Sequence, residues 1–161
     1  MPPPSGQSPA GPRRSPCPVA SALDILGDTW TLLVVRDLLW FGKRRFADLL
    51  SSGEGISTNI LAERLDRLER EGLVRRRKYQ DRPPRYEYEL TEKGYEFCTV
   101  LMTITAWGDR WTAGEAGPPV LIRHRGCGQH AHADVRCSHC GEPLRADEVD
   151  VEEGPGQRAH A

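Results

Sequence analysis

"GISTNILAERLDRLEREGLVRRRKYQDRPPRYEYELTEKG", residues Gly55 to Gly94, changes texture halfway along. Its first part is helical: Leu61, Leu65 and Leu68 recur at i, i+4 and i+7. Ser57 is a good N-cap for that helix, and Gly72 a good stop. At about 100° per residue, the face opposite the leucines is Asn59, Glu63, Asp66 and Arg70, flanked by Ala62 and Arg67. The second part reads as a hairpin. LVRRRKY and RYEYEL have the tyrosines and branched residues of strands, and QDRPP between them is a turn. Arg75, Arg76, Arg77 and Lys78 alternate across a strand, so at most half of them face one way.

Upstream, CPVASALDILGDTWTLLVVRDLLWFG predicts two helices. Pro18 suits the first turn of one, with Cys17 at the cap; Val19, Ala22, Leu23 and Leu26 keep helical spacing, and Gly27 ends it. Thr29 is expected to cap the next, which is apolar almost all round and therefore central or covered by a partner. KRRFADLLSSGEG predicts a short third helix with Phe46, Leu49 and Leu50 inward and Lys43, Arg44 and Arg45 at its start. Cations there oppose the helix dipole, and a phosphate partner would favour them.

Downstream, Thr91 caps a long helix predicted over Glu92 to Thr112. It carries no charge from Phe97 to Gly108. So small a domain cannot hide that surface alone, which implies a second subunit.

The whole chain, 161 residues with a formal net charge of −1, hides a segregation of charge. Lys43 to Arg85 holds 12 Lys/Arg against 7 Asp/Glu, while Gly141 to Ala161 holds 6 acids against 2 Arg. The basic stretch suits a polyanion. Helix three, its turn and the fourth helix form a helix-turn-helix, and the hairpin is its wing. The fold class is thus mainly α with a small β-wing: a winged helix-turn-helix with a C-terminal dimerisation helix and a small Cys-rich appendage. In this geometry the fourth helix enters the major groove by its N-terminal end, and the wing tip lies against the flanking backbone or minor groove. Ser57, Thr58 and Asn59 meet base edges; Asn pairs bidentately with adenine. Glu63 either accepts from a cytosine amine or is a solvated helix residue. Arg67, Arg82 and Arg85 meet phosphate, and Lys43, Arg44 and Arg45 make backbone contacts that set register.

Several of these stretches together, from CPVASALDILGDTWTLLVVRDLL through KRRFADLL, GISTNILAERLDRLEREGLVRR and RPPRYEYELTEKG to WGDRW, resemble the HxlR-type winged-helix transcriptional regulators, relatives of the MarR group. The resemblance runs from about Cys17 to Trp111. It implies a homodimer on an inverted-repeat DNA operator, built largely from the first and last helices of the domain, that represses or activates nearby genes, with repression the favoured reading. It also implies a role for Cys17, since some such regulators use a Cys there to sense oxidants or electrophiles. The partial positive charge of a helix N-terminus favours a thiolate. The alternative is that Cys17 packs as a small hydrophobe.

After WGDRW the chain changes again. His124, Cys127, Cys137 and Cys140 read H-x2-C-x9-C-x2-C, which resembles a small zinc ribbon with one structural Zn²⁺ per chain. His130, His132 and His139 are possible substitutes for His124, and a metal-free thiol pair is also open. The expected organisation is a disordered Pro-rich tail (1–16), the DNA-binding and dimerisation domain (17–113), the ribbon-like appendage (121–149) and a flexible end (150–161).

No run approaches the roughly 20 apolar residues of a membrane span, and no signal pattern opens the chain, so a cytoplasmic protein with reduced thiols is expected. No phosphate loop or hydrolase elbow is present, which argues against an enzyme. A winged helix that serves only as a protein–protein module is the alternative of another class; it has no need of the basic surplus. No motif identifies an effector.

Overall fold

The computed structural model describes residues 15–154. The expected disordered start and flexible end fall largely on residues 1–14 and 155–161, outside the described ones. The order is α1 (Pro18–Leu26), α2 (Thr29–Trp40), α3 (Phe46–Leu50), α4 (Thr58–Arg70), β1 (Val74–Asp81), β2 (Pro84–Leu90), α5 (Glu92–Glu96) and α6 (Cys98–Thr112). The strands form one antiparallel pair. This is the α+β winged arrangement that the sequence predicts. Among the described residues, no single helix is long and apolar enough to cross a membrane.

Pro18 opens α1 behind Cys17, and Gly27 closes it, as expected. The cap of α2 is Asp28 rather than Thr29. Asp28 Oδ1 accepts from the Thr31 amide at 2.9 Å, and Oδ2 accepts from the Thr31 hydroxyl at 2.5 Å. A carboxylate also answers the helix dipole, which a threonine hydroxyl does not. Burial pushes the Asp28 carboxyl up, but the Thr31 bonds and the Arg64 charge more than offset it, leaving its pKa below the usual value.

The core of the first part lies where α2 and α4 meet under the hairpin. Val35 of α2 and Leu61, Leu65 and Leu68 of α4 are all but inaccessible. Leu49 from α3, Ile56 from the turn, and Leu73, Val74 and Leu90 from the hairpin base complete it. Of the residues expected inward on α3, Leu49 is buried, while Phe46 and Leu50 are half-buried. The leucine stripe of α4 therefore does what its spacing predicts. Burying each such side chain stabilises the fold by about 1.5–3 kcal/mol.

At the end of α4, Gly72 takes φ +71°, a conformation that side chains with a Cβ rarely adopt. The chain then turns into β1. Thr91 ties the far end of the hairpin back: its hydroxyl donates to the Gly72 carbonyl at 2.6 Å and accepts from the Gly94 amide at 3.2 Å, capping α5. Gly94 sits so close to Leu73 that a Cβ would overlap the Leu73 carbonyl oxygen. Gly94 is needed for that approach and not for its dihedral freedom.

The single helix predicted over Glu92 to Thr112 is broken at Phe97. Phe97 has φ −64° and ψ −13°, a tightened turn that interrupts the α-helical ladder. The chain also divides there into two compact units, one through Phe97 and the other from Cys98. In the second unit, Leu101 is the last buried side chain among the described residues. Val100, Ile104, Trp107 and Trp111 of α6 are exposed, as are Val19 and Leu23 of α1 in the first unit.

Candidate nucleic-acid interface

Helices α3 and α4 and the turn between them form the helix-turn-helix. Ile56 is buried and anchors the turn, while Gly55 takes φ +74°. Ser57 caps α4, its hydroxyl accepting from the Ile60 amide at 3.4 Å. That bond commits much of the Ser57 side chain to the helix. Thr58 and Asn59 are exposed, and their side chains make no hydrogen bond among the described residues. They are thus free to present donors and acceptors at the N-terminal end of the helix. Glu63, also exposed, lies 3.1 Å from Arg64 Nη1.

Two cations of α4 are spent within the fold. Arg64 Nε lies 3.0 Å from Asp28 Oδ1 and braces α4 against the start of α2. Arg67 donates to the Asp24 carbonyl of α1 and approaches Asp28 Oδ2 at 3.9 Å. The sequence places Arg67 among the phosphate contacts; the structure puts its guanidinium against α1.

Lys43 and Arg44 lead up to α3, and Arg45 is its N-cap residue, with no side-chain cap bond. Arg45 is extended and bridges to Glu87 of β2. The Arg44 carbonyl accepts from the Tyr88 amide at 2.8 Å. Lys43 Nζ donates to Asp37 at 2.8 Å and Ser52 at 2.6 Å. Asp37 is almost wholly buried, and it also accepts from Arg36 and from the Ser52 hydroxyl. Burial pushes its carboxyl up; the bonds from Lys43, Ser52 and Arg36 outweigh this and hold its pKa below the usual value. This cluster ties α2 to the end of α3 and so sets the helix-turn-helix on the core.

The hairpin explains the row of cations. Arg75 faces Glu89, Arg76 faces Tyr88, Arg77 faces Glu87 and Lys78 faces Tyr86. Alternation therefore puts Arg75, Arg77, Glu87 and Glu89 on one face. Arg75 Nη2 lies 3.0 Å from Glu89, Arg77 Nε 3.1 Å from Glu89 and Nη2 3.4 Å from Glu87. Arg45 joins Glu87 at 3.1 Å, and Arg44 approaches Glu89 at 3.8 Å. Two half-buried glutamates thus serve four arginines. On the other face, Arg76 stacks over Tyr86 at 4.6 Å and reaches Glu69 at 3.9 Å.

The turn is shorter than QDRPP. The strands pair out to Asp81 and Pro84, leaving Arg82 and Pro83 at the tip. A bulge at Tyr79, between Lys78 and Gln80, shifts the register, and Arg45 stacks over the Tyr79 ring at 4.9 Å. Arg82 and Arg85 are exposed and have no ion pair among the described residues. They are the wing's uncommitted charges. The signal for the Arg–Glu ladder was present in the sequence: YEYE opposite RRRK places a Glu across from every second Arg.

Cys17 is exposed at the α1 cap, its amide donating to Ser15 Oγ at 3.1 Å. In the tail, His124 Nδ1 lies 3.3 Å from Cys127 Sγ, and the amides of Cys140 and His139 point at Cys137 Sγ, lowering its thiol pKa. Among the described residues, no three His, Cys, Asp or Glu side chains are gathered as a metal cluster.

Residues 25–116 match the family described as HxlR-like helix-turn-helix. The uncharacterized HTH-type transcriptional regulator Rv3095 of Mycobacterium tuberculosis is 40% identical over 88% of each chain. The crystal structure of PA1607, a candidate transcription factor, superposes with TM-score 0.78 at 33% identity, covering 88% of this chain and 98% of that one. The redox regulator HypR in its reduced form superposes with TM-score 0.54 at 31% identity, covering 58% of this chain and 92% of that one.

Proposed function

The chain belongs to the HxlR-like helix-turn-helix family, whose members are DNA-binding transcriptional regulators and not a class of enzymes, and from that premise we propose that it is a homodimeric, cytoplasmic repressor of an inverted-repeat operator. One observation carries the DNA-reading part. Of the cations and polar groups on the helix-turn-helix and wing, most are neutralised or tied within the fold. Thr58 and Asn59 at the tip of α4, and Arg82 and Arg85 at the wing tip, are left exposed and unpaired among the described residues. Asn59 and Thr58 read base edges in the major groove, with Ser57 holding the helix end and Glu63 a further contact. Arg82 and Arg85 meet the flanking phosphates. Arg44 and Arg45, though shared with Glu87 and Glu89, remain more than half exposed and lie where backbone phosphate would pass. Lys43 and Arg67 support the reading surface from beneath it.

The homodimer reading rests on the exposed apolar residues of α1 and α6, which in water are covered by a second copy. The domain so defined extends over residues 17–113, with the tail appended.

The test is binding of the purified protein to DNA fragments it selects from a random pool. Asn59→Ala relaxes sequence choice by about 1–3 kcal/mol per half-site. Arg82→Ala weakens selected and random DNA alike and flattens the dependence of log K on log salt by about one. Equal effects of the two changes on both DNA classes would refute the assignment. A protein–protein module would bind DNA without salt dependence.

We further propose that Cys17 makes the repressor responsive to oxidants. The exposed thiol at a helix cap supports this, as does the likeness to the redox regulator HypR. Diamide or a quinone then weakens operator binding by the wild type, while Cys17→Ser binds normally and ignores the reagent. A response that persists in Cys17→Ser would place the sensing elsewhere.

A further inference from the structure

The tail contains an internal repeat. Ile122–Ala131 (IRHRGCGQHA) and Val135–Leu144 (VRCSHCGEPL) fold into the same turn, displaced along the chain so that His124 corresponds to Cys137 and Cys127 to Cys140. In the first copy, the His124 amide donates to the Gln129 carbonyl, that of Gly128 to His124, and that of Ala131 to Ile122, each at 2.8 Å. In the second, the Cys137 amide donates to the Glu142 carbonyl at 2.8 Å, Gly141 to Cys137 at 2.9 Å, and Leu144 to Val135 at 3.0 Å. An antiparallel bridge closes each: Arg123 with His130, and Arg136 with Pro143. Gly128 and Gly141 take φ +73° and +77° at equivalent places. The two turns thus present the same two positions, the first and fourth, filled by His and Cys in one and by Cys and Cys in the other.

The substitution of His for Cys is accommodated. A Cβ at Gly126 would lie 3.0 Å from the His124 ring. The second turn has only a thiol to accommodate, and there the equivalent position carries His139. With the ring folded over Gly126, Nδ1 comes 3.3 Å from Cys127 Sγ. Two ligands of one tetrahedral zinc, with Zn–N of about 2.0–2.1 Å and Zn–S of about 2.3 Å, stand about 3.6 Å apart.

Nothing apolar holds these turns together. No described residue beyond Leu101 is buried, and Leu121, Val135 and Leu144 lie exposed. Two ordered turns without a core need another source of cohesion, which in small domains is commonly a metal.

We propose that His124, Cys127, Cys137 and Cys140 bind one Zn²⁺ per chain, joining the two turns of the repeat into a single ribbon. Three thiolates and an imidazole form a closed structural zinc set with no open position. Binding releases the thiol protons to solvent and brings the two ligand pairs onto one ion. Val120–Ile122 and His130–His132, which flank the first turn, line a cleft of about 170 Å³ with Met102, Thr105, Ala106 and Asp109 of α6. The ion therefore also steadies the chain that lies along α6.

The test uses the full chain purified without chelators. Elemental analysis is expected to give about one zinc per chain, and exchange for Co²⁺ the visible absorption of a tetrahedral thiolate site. Cys137→Ser and His124→Ala each weaken cobalt binding by about 100-fold or more, whereas Cys17→Ser and Cys98→Ser leave it unchanged. Zinc below about 0.1 equivalent, with no tetrahedral cobalt spectrum at excess metal, would overturn the site. So would a spectrum that survives in Cys137→Ser. A spectrum lost in His130→Ala, His132→Ala or His139→Ala but kept in His124→Ala would overturn the ligand set. None of these readouts depends on DNA, so the site stands or falls apart from the regulatory reading.

Discussion

Asp37 shows how a single buried charge governs the reading head. It lies in the middle of α2, yet its partners Lys43 and Ser52 belong to the segments before and after α3. Asp37→Asn removes the negative charge and one of the two acceptor oxygens that Lys43, Arg36 and Ser52 share, and is expected to cost about 1.5–3 kcal/mol at neutral pH. The pH dependence follows from the direction of its pKa. A carboxyl held below its usual value contributes stability that is complete above the unfolded pKa of about 3.9 and is lost as pH falls through the folded one. Asp28 and Glu54 shift the same way; for Glu54 the leading cause is the bond from Arg36. Urea denaturation between pH 6 and pH 3 should therefore show wild-type stability falling below about pH 4, with the gap to Asp37→Asn narrowing as it does. A gap that stays constant down to pH 3 would show that the Asp37 charge is not the source.

At the scale of the element, the wing is a balance of charges more than a basic strand. Glu87 and Glu89 restrain Arg44, Arg45, Arg75 and Arg77, holding four cations on one face in fixed positions. This limits sequence-independent attraction to phosphate, since each further phosphate neutralised adds about 0.9 to the salt slope. The double change Glu87→Gln and Glu89→Gln frees those cations. It should raise affinity for random DNA, steepen the salt slope by about one to two, and reduce discrimination between operator and random sequence. An unchanged slope in fluorescence anisotropy titrations at several salt concentrations would mean that the face never meets DNA. α4 is the complementary element: its leucine stripe and Ser57 cap fix its direction, so that Asn59 needs no support of its own.

At the scale of the whole molecule, the apolar surface of α6 is divided. Leu101 is buried within the chain, while Ile104, Trp107 and Trp111 face solvent. Changing Leu101 would test the fold and changing Ile104 the association. Ile104→Asp is expected to yield a monomer at micromolar concentration in sedimentation equilibrium, with helical content by circular dichroism unchanged. Binding should fall much more on DNA carrying two half-sites than on DNA carrying one, because only the dimer engages both at once. A dimer that persists in Ile104→Asp would place the interface on other residues.

Periodicity in the sequence determined the elements that depend on neighbours along the chain. The leucines of α4, its Ser57 cap, the Pro18 start of α1, the hairpin and the Cys-containing turns all obey rules that act within a few residues, so they were legible without a structure. The tertiary structure decided which charges were available. Lys43 and Arg67 read as DNA contacts because a sequence shows a cation but not the carboxylate or carbonyl that claims it: Asp37 is six positions from Lys43, and the Asp24 carbonyl is 43 from Arg67. The break at Phe97 was invisible for a related reason. No Gly or Pro stands at Phe97 itself; Gly94 lies three residues upstream, and Phe97, Cys98, Thr99 and Val100 are only weak helix formers, a signal too diffuse to place a break. Local preference sets the shape of each element, whereas ion pairing and the end of a packed unit depend on groups that only the folded chain brings within a few ångströms of one another.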